Sequence, residues 1–173
     1  MHIDELCRFV DESTVLLPYI SKSDRLKSPV DSLNYPMLEA NYKILKKART
    51  ADGKKLRIIR IPMPEAEQLK YAVPVEQSDL RQFKDFGFKI GDTINRIIAA
   101  SYCNYFISNN VLLIQKYWQP GMSDSQKQKD EEALNLFAKL FPGRQIIQIY
   151  GRTVNRGGGG LHCMTHEVPE AKR

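Results

Sequence analysis

The hydrophobic pattern of the chain predicts the same series of elements twice. In the first half, residues 3–10 and 14–17 predict two strands separated by a polar turn, although the apolar spacing within 3–10 also suits a short helix. A helix beginning near Asn34 follows, and residues 56–61 predict a strand that ends at a proline. The first half therefore predicts strand, strand, helix and strand over about residues 2–62.

The second half repeats this order over about residues 101–152. Residues 102–107 and 111–114 predict two strands joined by a turn of two asparagines, and residues 145–150 predict the last strand. The helix between them carries apolar residues on one face, namely Leu134, Phe137, Leu140 and Phe141. Residues 63–100 are expected to connect the two units. The pattern indicates an α/β fold built from ββαβ units.

A third unit is expected to begin after the second one. Residues 155–167 read as a glycine-rich loop followed by a strand. If such units pack around a common axis, their first strands begin at the same end of the molecule. We therefore expect His2, Asp4 and Cys163 to converge, although they lie at opposite ends of the sequence.

The composition describes one packed domain and excludes several classes of protein. The chain has 173 residues, of which 42% are hydrophobic and 27% charged, and no apolar run approaches the length of a membrane span. The N-terminus is acidic where a signal peptide is basic, and the three cysteines are odd in number and widely spaced. These features predict a cytoplasmic protein without disulfides or a membrane partner.

The formal net charge of +6 raises the question of a nucleic-acid partner. The basic residues between positions 46 and 57 surround a helix end and a turn, and Asp52 interrupts them. No stacking motif accompanies them, whereas sequence-tolerant nucleic-acid binding combines positive charge with aromatic platforms. We therefore interpret the cluster as a solvated surface and expect no nucleic-acid partner.

Four consecutive glycines, at positions 157–160, stand shortly before Cys163. Glycines permit backbone angles that other residues avoid, and their N–H groups can hold an anion or a developing charge. Cys163 is therefore the candidate nucleophile. The alternative interpretation of Cys163 is a small buried core cysteine next to a flexible tail.

His2 and Asp4 alternate, so on a strand both side chains would point to the same face. A histidine with a carboxylate can serve as an acid or base and as a cation anchor. Alternatively, His2 is an unconstrained terminal residue.

The cysteines and histidines lack the close pairs of a structural zinc site, and no Lys-Ser/Thr follows the glycines as a phosphate loop requires. Neither a metal nor a nucleotide is expected.

Four segments together resemble the agmatine deiminase and bacterial-type peptidylarginine deiminase family of guanidino-group modifying enzymes. They are residues 2–10, 101–109, 141–144 and 157–165, and they occur in the family's order. The resemblance covers the C-terminal half of the family. It implies a partial α/β propeller of the pentein type, in which ββαβ modules surround a pseudo-fivefold axis.

The resemblance also implies roles for individual residues. Cys163 matches the nucleophile, His2 the general acid/base and Asp4 a carboxylate that binds the guanidinium, with Gly158, Gly159 and Gly160 forming the substrate-binding loop. The implied reaction converts agmatine, a precursor of putrescine, to N-carbamoylputrescine and ammonia through a covalent thiouronium intermediate. It requires no metal or organic cofactor. Peptidyl-arginine is the alternative substrate.

The chain departs from the family in length. Family members are about twice as long, their N-terminal half supplies further carboxylates, and Met1 stands where they usually have glycine. We therefore expect weak or absent activity of the isolated chain and a requirement for a complementing N-terminal half or a homo-oligomer. A non-catalytic remnant that serves as an interaction module is the competing interpretation.

Overall fold

Each half of the chain folds as an antiparallel strand pair followed by a helix and a parallel strand. The computed structural model describes residues 2–168. The strands are β1 (Arg8–Phe9), β2 (Thr14–Tyr19), β3 (Arg57–Pro62), β4 (Lys70–Pro74), β5 (Thr93–Ile97), β6 (Phe106–Ser108), β7 (Val111–Lys116) and β8 (Gln145–Tyr150). The α-helices are α1 (Ile3–Leu6), α2 (Pro29–Lys47), α3 (Leu80–Phe83), α4 (Asp124–Leu140) and α5 (Arg152–Asn155). Short 3₁₀ turns cover Asp24–Leu26, Ala66–Leu69, Lys84–Phe86 and His162–Met164.

Two three-stranded sheets have the same topology. In the first, β2 pairs antiparallel with β1 and parallel with β3, and α2 makes the crossover. In the second, β7 pairs antiparallel with β6 and parallel with β8, and α4 makes the crossover. A parallel connection needs such a crossover because the chain must return to the same end of the sheet. The segment expected only to connect the units contains a separate antiparallel pair, β4 and β5.

The prediction of a strand over residues 3–10 is wrong for most of its length. Residues Ile3–Leu6 form the helix α1, closed by a hydrogen bond from the Cys7 backbone N–H to the Ile3 carbonyl oxygen at 2.8 Å, and only Arg8–Phe9 is strand. The apolar positions fit both periods, so the pattern was ambiguous. The helical turn buries the side chains of both Asp4 and Glu5, which a strand would direct to opposite faces.

The helix α2 begins five residues earlier than Asn34. The Ser28 hydroxyl oxygen accepts a hydrogen bond from the Asp31 backbone N–H at 2.9 Å, and Pro29 occupies the first turn. Serine followed three residues later by an acidic residue is a capping signature, and Pro36 lies inside the helix rather than at its start. Within residues 2–168, no helix has both the length and the apolar character required to cross a membrane.

Helix α4 is tied to the segment that follows β7 through the buried carboxylate of Asp130. Its oxygens accept hydrogen bonds from the backbone N–H groups of Tyr117 and Trp118 at 3.0 and 2.8 Å. They also accept from the Tyr102 hydroxyl at 2.5 Å and the Gln126 side chain at 3.0 Å. These contacts hold Tyr102 and Tyr117 in the hydrophobic core, where Tyr102 is 1% exposed.

The predicted strand at residues 161–165 is a tight turn instead. His162–Met164 forms one 3₁₀ turn, and the Thr165 hydroxyl donates back to the Leu161 carbonyl oxygen at 2.9 Å. The threonine side chain thus satisfies a backbone acceptor that a neighbouring strand would otherwise use. As a result, Cys163 lies at the apex of a turn, with its side chain exposed.

Candidate active site

His2, Asp4 and Cys163 meet as the sequence analysis expected. One side-chain atom from each residue lies within 4.8 Å of the other two. Asp4 is 7% exposed, whereas His2 and Cys163 are exposed. The helix α1 and the 3₁₀ turn create this proximity, in place of the two predicted strands. A ring nitrogen of His2 thus lies near the Asp4 and Cys163 side chains, and the role of His2 as acid or base stays a prediction.

The Asp4 carboxylate is the centre of the cluster. Its Oδ2 accepts a hydrogen bond from Cys163 Sγ at 3.2 Å and lies 2.7 Å from His162 Nδ1. Burial raises the pKa of Asp4, but the hydrogen bonds with His162 and Cys163 outweigh burial and leave this pKa below its usual value. Asp4 Oδ1 is buried and has no hydrogen-bond partner among the described residues. An ionised carboxylate with an unpaired oxygen can bind the paired N–H groups of a planar cation once a substrate reaches that oxygen.

The three cysteines differ in accessibility. Cys103 is fully buried and Cys7 is half-buried, and burial raises the pKa of both thiols. Cys163 is exposed. The description of a small buried core cysteine therefore fits Cys103, and Cys163 is the thiol that a substrate can reach.

The glycine run packs closely around Cys163. Gly158 has a φ of +94°, in the left-handed region that favours glycine, and its N–H donates to the Asn155 carbonyl oxygen at 3.0 Å. A Cβ on Gly159 would lie 2.8 Å from Cys163 Sγ. A Cβ on Gly160 would lie 2.6 Å from Asn104 Oδ1. The Gly158 N–H is thus used within the turn, and the substrate-binding role of the three glycines stays a prediction.

Asn104 is a site residue that the sequence analysis did not single out. Its side chain is fully buried, and its Oδ1 accepts a hydrogen bond from the His162 backbone N–H at 2.8 Å. Its Nδ2 donates to Glu5 Oε1 at 2.7 Å and to Cys163 Sγ at 3.1 Å. Asn104 belongs to one of the segments that carry the family resemblance, which was the available signal.

Glu5 lies next to Asp4 and is also buried. Burial, followed by the negative charge of Asp4, raises the pKa of Glu5 to about 7, against the opposing hydrogen bond from Asn104. Glu5 also lines a cavity of about 320 Å³ whose walls include Leu38 and Ile98. The cluster therefore contains two neighbouring carboxyl groups with opposite pKa shifts, an arrangement typical of functional sites.

The atoms of His2, Asp4 and Cys163 are also close enough to bind one cation. Three protein ligands is the number found in catalytic zinc sites. The two roles of the Cys163 sulfur exclude each other at any moment, because a sulfur that binds a metal ion is not free to attack a substrate. A chelator control in the labelling experiment below distinguishes the two cases.

Known proteins match this chain over almost its whole length. The family described as Porphyromonas-type peptidyl-arginine deiminase matches residues 1–169. An agmatine deiminase of Pseudomonas aeruginosa strain LESB58 is 27% identical over 172 residues, which are 99% of this chain and 41% of that protein. The chain thus spans about two fifths of the length of the curated relatives that it matches.

Solved structures show the same likeness. A protein of Porphyromonas gingivalis is 28% identical and superposes with a TM-score of 0.68 over 98% of this chain and 38% of that chain. The agmatine deiminase of Enterococcus faecalis is 22% identical and superposes with a TM-score of 0.63 over 93% of this chain and 38% of that chain. The second comparison concerns the fold alone.

Proposed function

Because the chain belongs to the family of Porphyromonas-type peptidyl-arginine deiminases, we propose that it supplies the nucleophile part of a site that hydrolyses a guanidino group. The proposed reaction converts agmatine and water to N-carbamoylputrescine and ammonia. The observation that carries the proposal is the contact of Cys163 Sγ with Asp4 Oδ2 at 3.2 Å, with His2 alongside. The agmatine deiminase name of a relative supports the substrate class.

Asp4 binds the guanidinium in this proposal. Substrate entry must first uncover Oδ1, which is buried and unpaired within residues 2–168; it then accepts one N–H of the cation, and Oδ2 accepts a second after the Cys163 thiol gives up its contact. The hydrogen bond with His162 keeps Oδ2 oriented during this exchange. A carboxylate and a guanidinium match in both charge and bidentate geometry, which orients the central carbon of the substrate.

Cys163 loses its thiol proton to solvent when it leaves Asp4 Oδ2, and the thiolate then attacks the central carbon of the guanidinium and forms a carbon–sulfur bond. His2 protonates the leaving nitrogen, and the carbon–nitrogen bond breaks. Ammonia departs, and a thiouronium group remains attached to Cys163. His2 next removes a proton from water, which attacks the same carbon. The carbon–sulfur bond breaks, the hydroxyl group of the adduct loses its remaining proton to solvent, and the thiolate and the neutral ureido product are released. No metal or organic cofactor takes part in the proposed reaction.

The proposed site needs a further chain segment to be complete. An apolar groove of about 190 Å³ runs beside the first sheet, and it is lined by residues that include Ile3, Leu17 and Ile44. Ile3 is 72% exposed and Ile44 is 65% exposed. We propose that a further ββαβ unit of the longer relatives covers this face and completes the propeller, since exposed apolar patches mark interaction surfaces.

Self-association of the isolated chain is expected if this face needs a partner. Sedimentation velocity at micromolar concentration should show dimers or larger species in the wild-type chain. Ile3→Glu combined with Ile44→Glu should reduce them, because two buried charges disfavour an apolar interface. A wild-type chain that sediments as a stable monomer would count against the interaction surface.

Labelling with 2-chloroacetamidine, a cationic mimic of the guanidinium, tests the proposed site. Cys163 should react at least about tenfold faster with this reagent than with neutral 2-chloroacetamide, because Asp4 attracts the amidinium. Cys7 and Cys103 should show no such preference. Peptide mass spectrometry measures the modified fraction at each cysteine over time. Asp4→Asn should remove the preference, whereas the matched change Asp52→Asn at an exposed turn should keep it.

The same experiment separates the alternatives. Equal labelling of all three cysteines, or an unchanged preference in the Asp4→Asn variant, would overturn the catalytic proposal and favour a non-catalytic interaction module. Faster labelling of Cys163 after addition of EDTA would show that a metal cation is bound to its sulfur in the untreated protein. Protection of Cys163 by an arginine-containing peptide but not by agmatine would favour peptidyl-arginine as the substrate, as the family's description suggests.

A further inference from the structure

The orientation of the Asn104 amide is determined by its neighbours. Its Oδ1 faces the His162 backbone N–H at 2.8 Å, and an N–H can only donate. The two hydrogens of Nδ2 therefore point away from that group, one toward Glu5 Oε1 and one toward Cys163 Sγ. The sulfur thus lies between a neutral donor at 3.1 Å and the Asp4 carboxylate at 3.2 Å.

These two neighbours have opposite effects on a negatively charged sulfur. The Asp4 carboxylate repels a thiolate, whereas a hydrogen-bond donor stabilises it. We propose that Asn104 is a positioning residue that stabilises the Cys163 thiolate and holds it beside Asp4, the carboxylate that binds the substrate. The proposal deepens the proposed function and rests on it, because Cys163 is the nucleophile there.

The surroundings of Asn104 keep its amide in place. The Asn104 backbone N–H donates to the Ser101 carbonyl oxygen at 3.3 Å, and the Gln115 side chain donates to the Asn104 carbonyl oxygen at 3.4 Å. The nearby side chains of Tyr102 and Tyr105 are also buried. A donor held in this way loses little conformational freedom when the sulfur becomes charged. The free energy of its hydrogen bond is therefore available to stabilise the thiolate.

Moving the carboxyl group from position 5 to position 104 tests whether Asn104 positions the Cys163 thiolate or only supports the fold. Asn104→Asp removes the donor to sulfur but adds a carboxyl group next to Glu5, and this single variant is expected to be unstable. The double variant Glu5→Gln with Asn104→Asp keeps the number of carboxyl groups. In it the glutamine amide donates to the aspartate, which still accepts from the His162 N–H. The double variant therefore keeps these two hydrogen bonds, but it replaces the donor to Cys163 with a carboxylate oxygen, which also repels a thiolate.

The readout is the alkylation rate of Cys163 by neutral iodoacetamide at pH 7 divided by its rate at pH 10. In the double variant this ratio should fall about tenfold, because less thiolate is present at pH 7. The urea unfolding midpoint should recover relative to the single variant. Glu5→Gln alone keeps the donor and should not lower the ratio, and the exposed control Asn95→Asp should leave the ratio within about twofold of wild type.

An unchanged ratio in the folded double variant would overturn the proposal. Asn104→Ser removes the amide donor without adding charge, so a fall in its ratio is also expected, and it separates loss of the donor from repulsion by the new carboxylate. A ratio that falls in the double variant but not in Asn104→Ser would also overturn the proposal, and Asn104→Ser serves alone if the double variant does not fold. The proposed function fails separately, through the absence of an amidine preference in the wild-type chain. A wild-type chain that prefers the amidine, with a ratio insensitive to Asn104, would reject the positioning role alone.

Discussion

Replacing Gly160 with alanine is expected to lower the free energy of unfolding by about 2–3 kcal/mol. Gly160 is buried, and an added methyl group would overlap the side-chain amide of Gln115 and lie 2.6 Å from Asn104 Oδ1. Both obstructing groups are fully buried and cannot swing into solvent. The loop must therefore move outward, which also displaces Cys163. Urea unfolding followed by circular dichroism measures the change in stability.

Gly157→Ala is the matched control for this prediction. Gly157 is exposed, and a methyl group there would meet the Val154 carbonyl oxygen at 3.2 Å. We expect a change within about 0.5 kcal/mol, as at ordinary surface positions. Alkylation of Cys163 by chloroacetamidine should slow in Gly160→Ala and stay near the wild-type rate in the control. A Gly160→Ala chain as stable as the control would show that the loop does not pack on the buried amides.

Replacing Glu5 with glutamine is expected to remove a pH-dependent loss of stability of about 3 kcal/mol. The pKa of Glu5 is about 7 in the folded chain, compared with 4.5 for an exposed glutamate. Below about pH 4.5 the carboxyl is protonated in both states, and its contribution to stability is fully present. As the pH rises to about 7, the unfolded chain releases this proton while the folded chain retains it. The wild-type chain therefore loses stability across this range.

The measurement is the difference in unfolding free energy between Glu5→Gln and wild type at pH 4 and at pH 8. Glutamine should gain relative to wild type by about 3 kcal/mol between the two conditions. Burial also raises the pKa of Asp31, but this contribution cancels in the difference because Asp31 is present in both chains. The exposed control Glu131→Gln should follow the wild-type curve. A Glu5→Gln difference that does not change with pH would mean that Glu5 is solvated.

The repeated ββαβ order could be predicted from the sequence because burial alone produces it. The strands β2, β3, β7 and β8 contain apolar runs, and the helices α2 and α4 carry apolar residues at helical spacing. Such patterns depend only on which face of an element contacts the core. The helix α2 begins before the predicted start near Asn34, because Ser28 and Pro29 supply its cap and first turn.

Both segments that carry the site form a different element from the predicted one. Residues 3–6 and 162–164 form single helical turns in place of strands. Three or four residues are too few for hydrophobic periodicity to separate a strand from a turn, so tertiary contacts decide the conformation. For α1 those contacts include the Asn104 hydrogen bond to Glu5, which joins residues 99 positions apart.

Residue type and spacing were sufficient to predict the repeated units, the glycine run before Cys163 and the candidates His2, Asp4 and Cys163. The fold was needed to reveal that Asp4 accepts from Cys163 and that Asn104 donates to both Glu5 and the sulfur. It was also needed to reveal that two adjacent carboxyl groups have opposite pKa shifts. The physical reason is that hydrogen-bond partners and burial depend on which distant segments the fold brings together, and local spacing does not encode them.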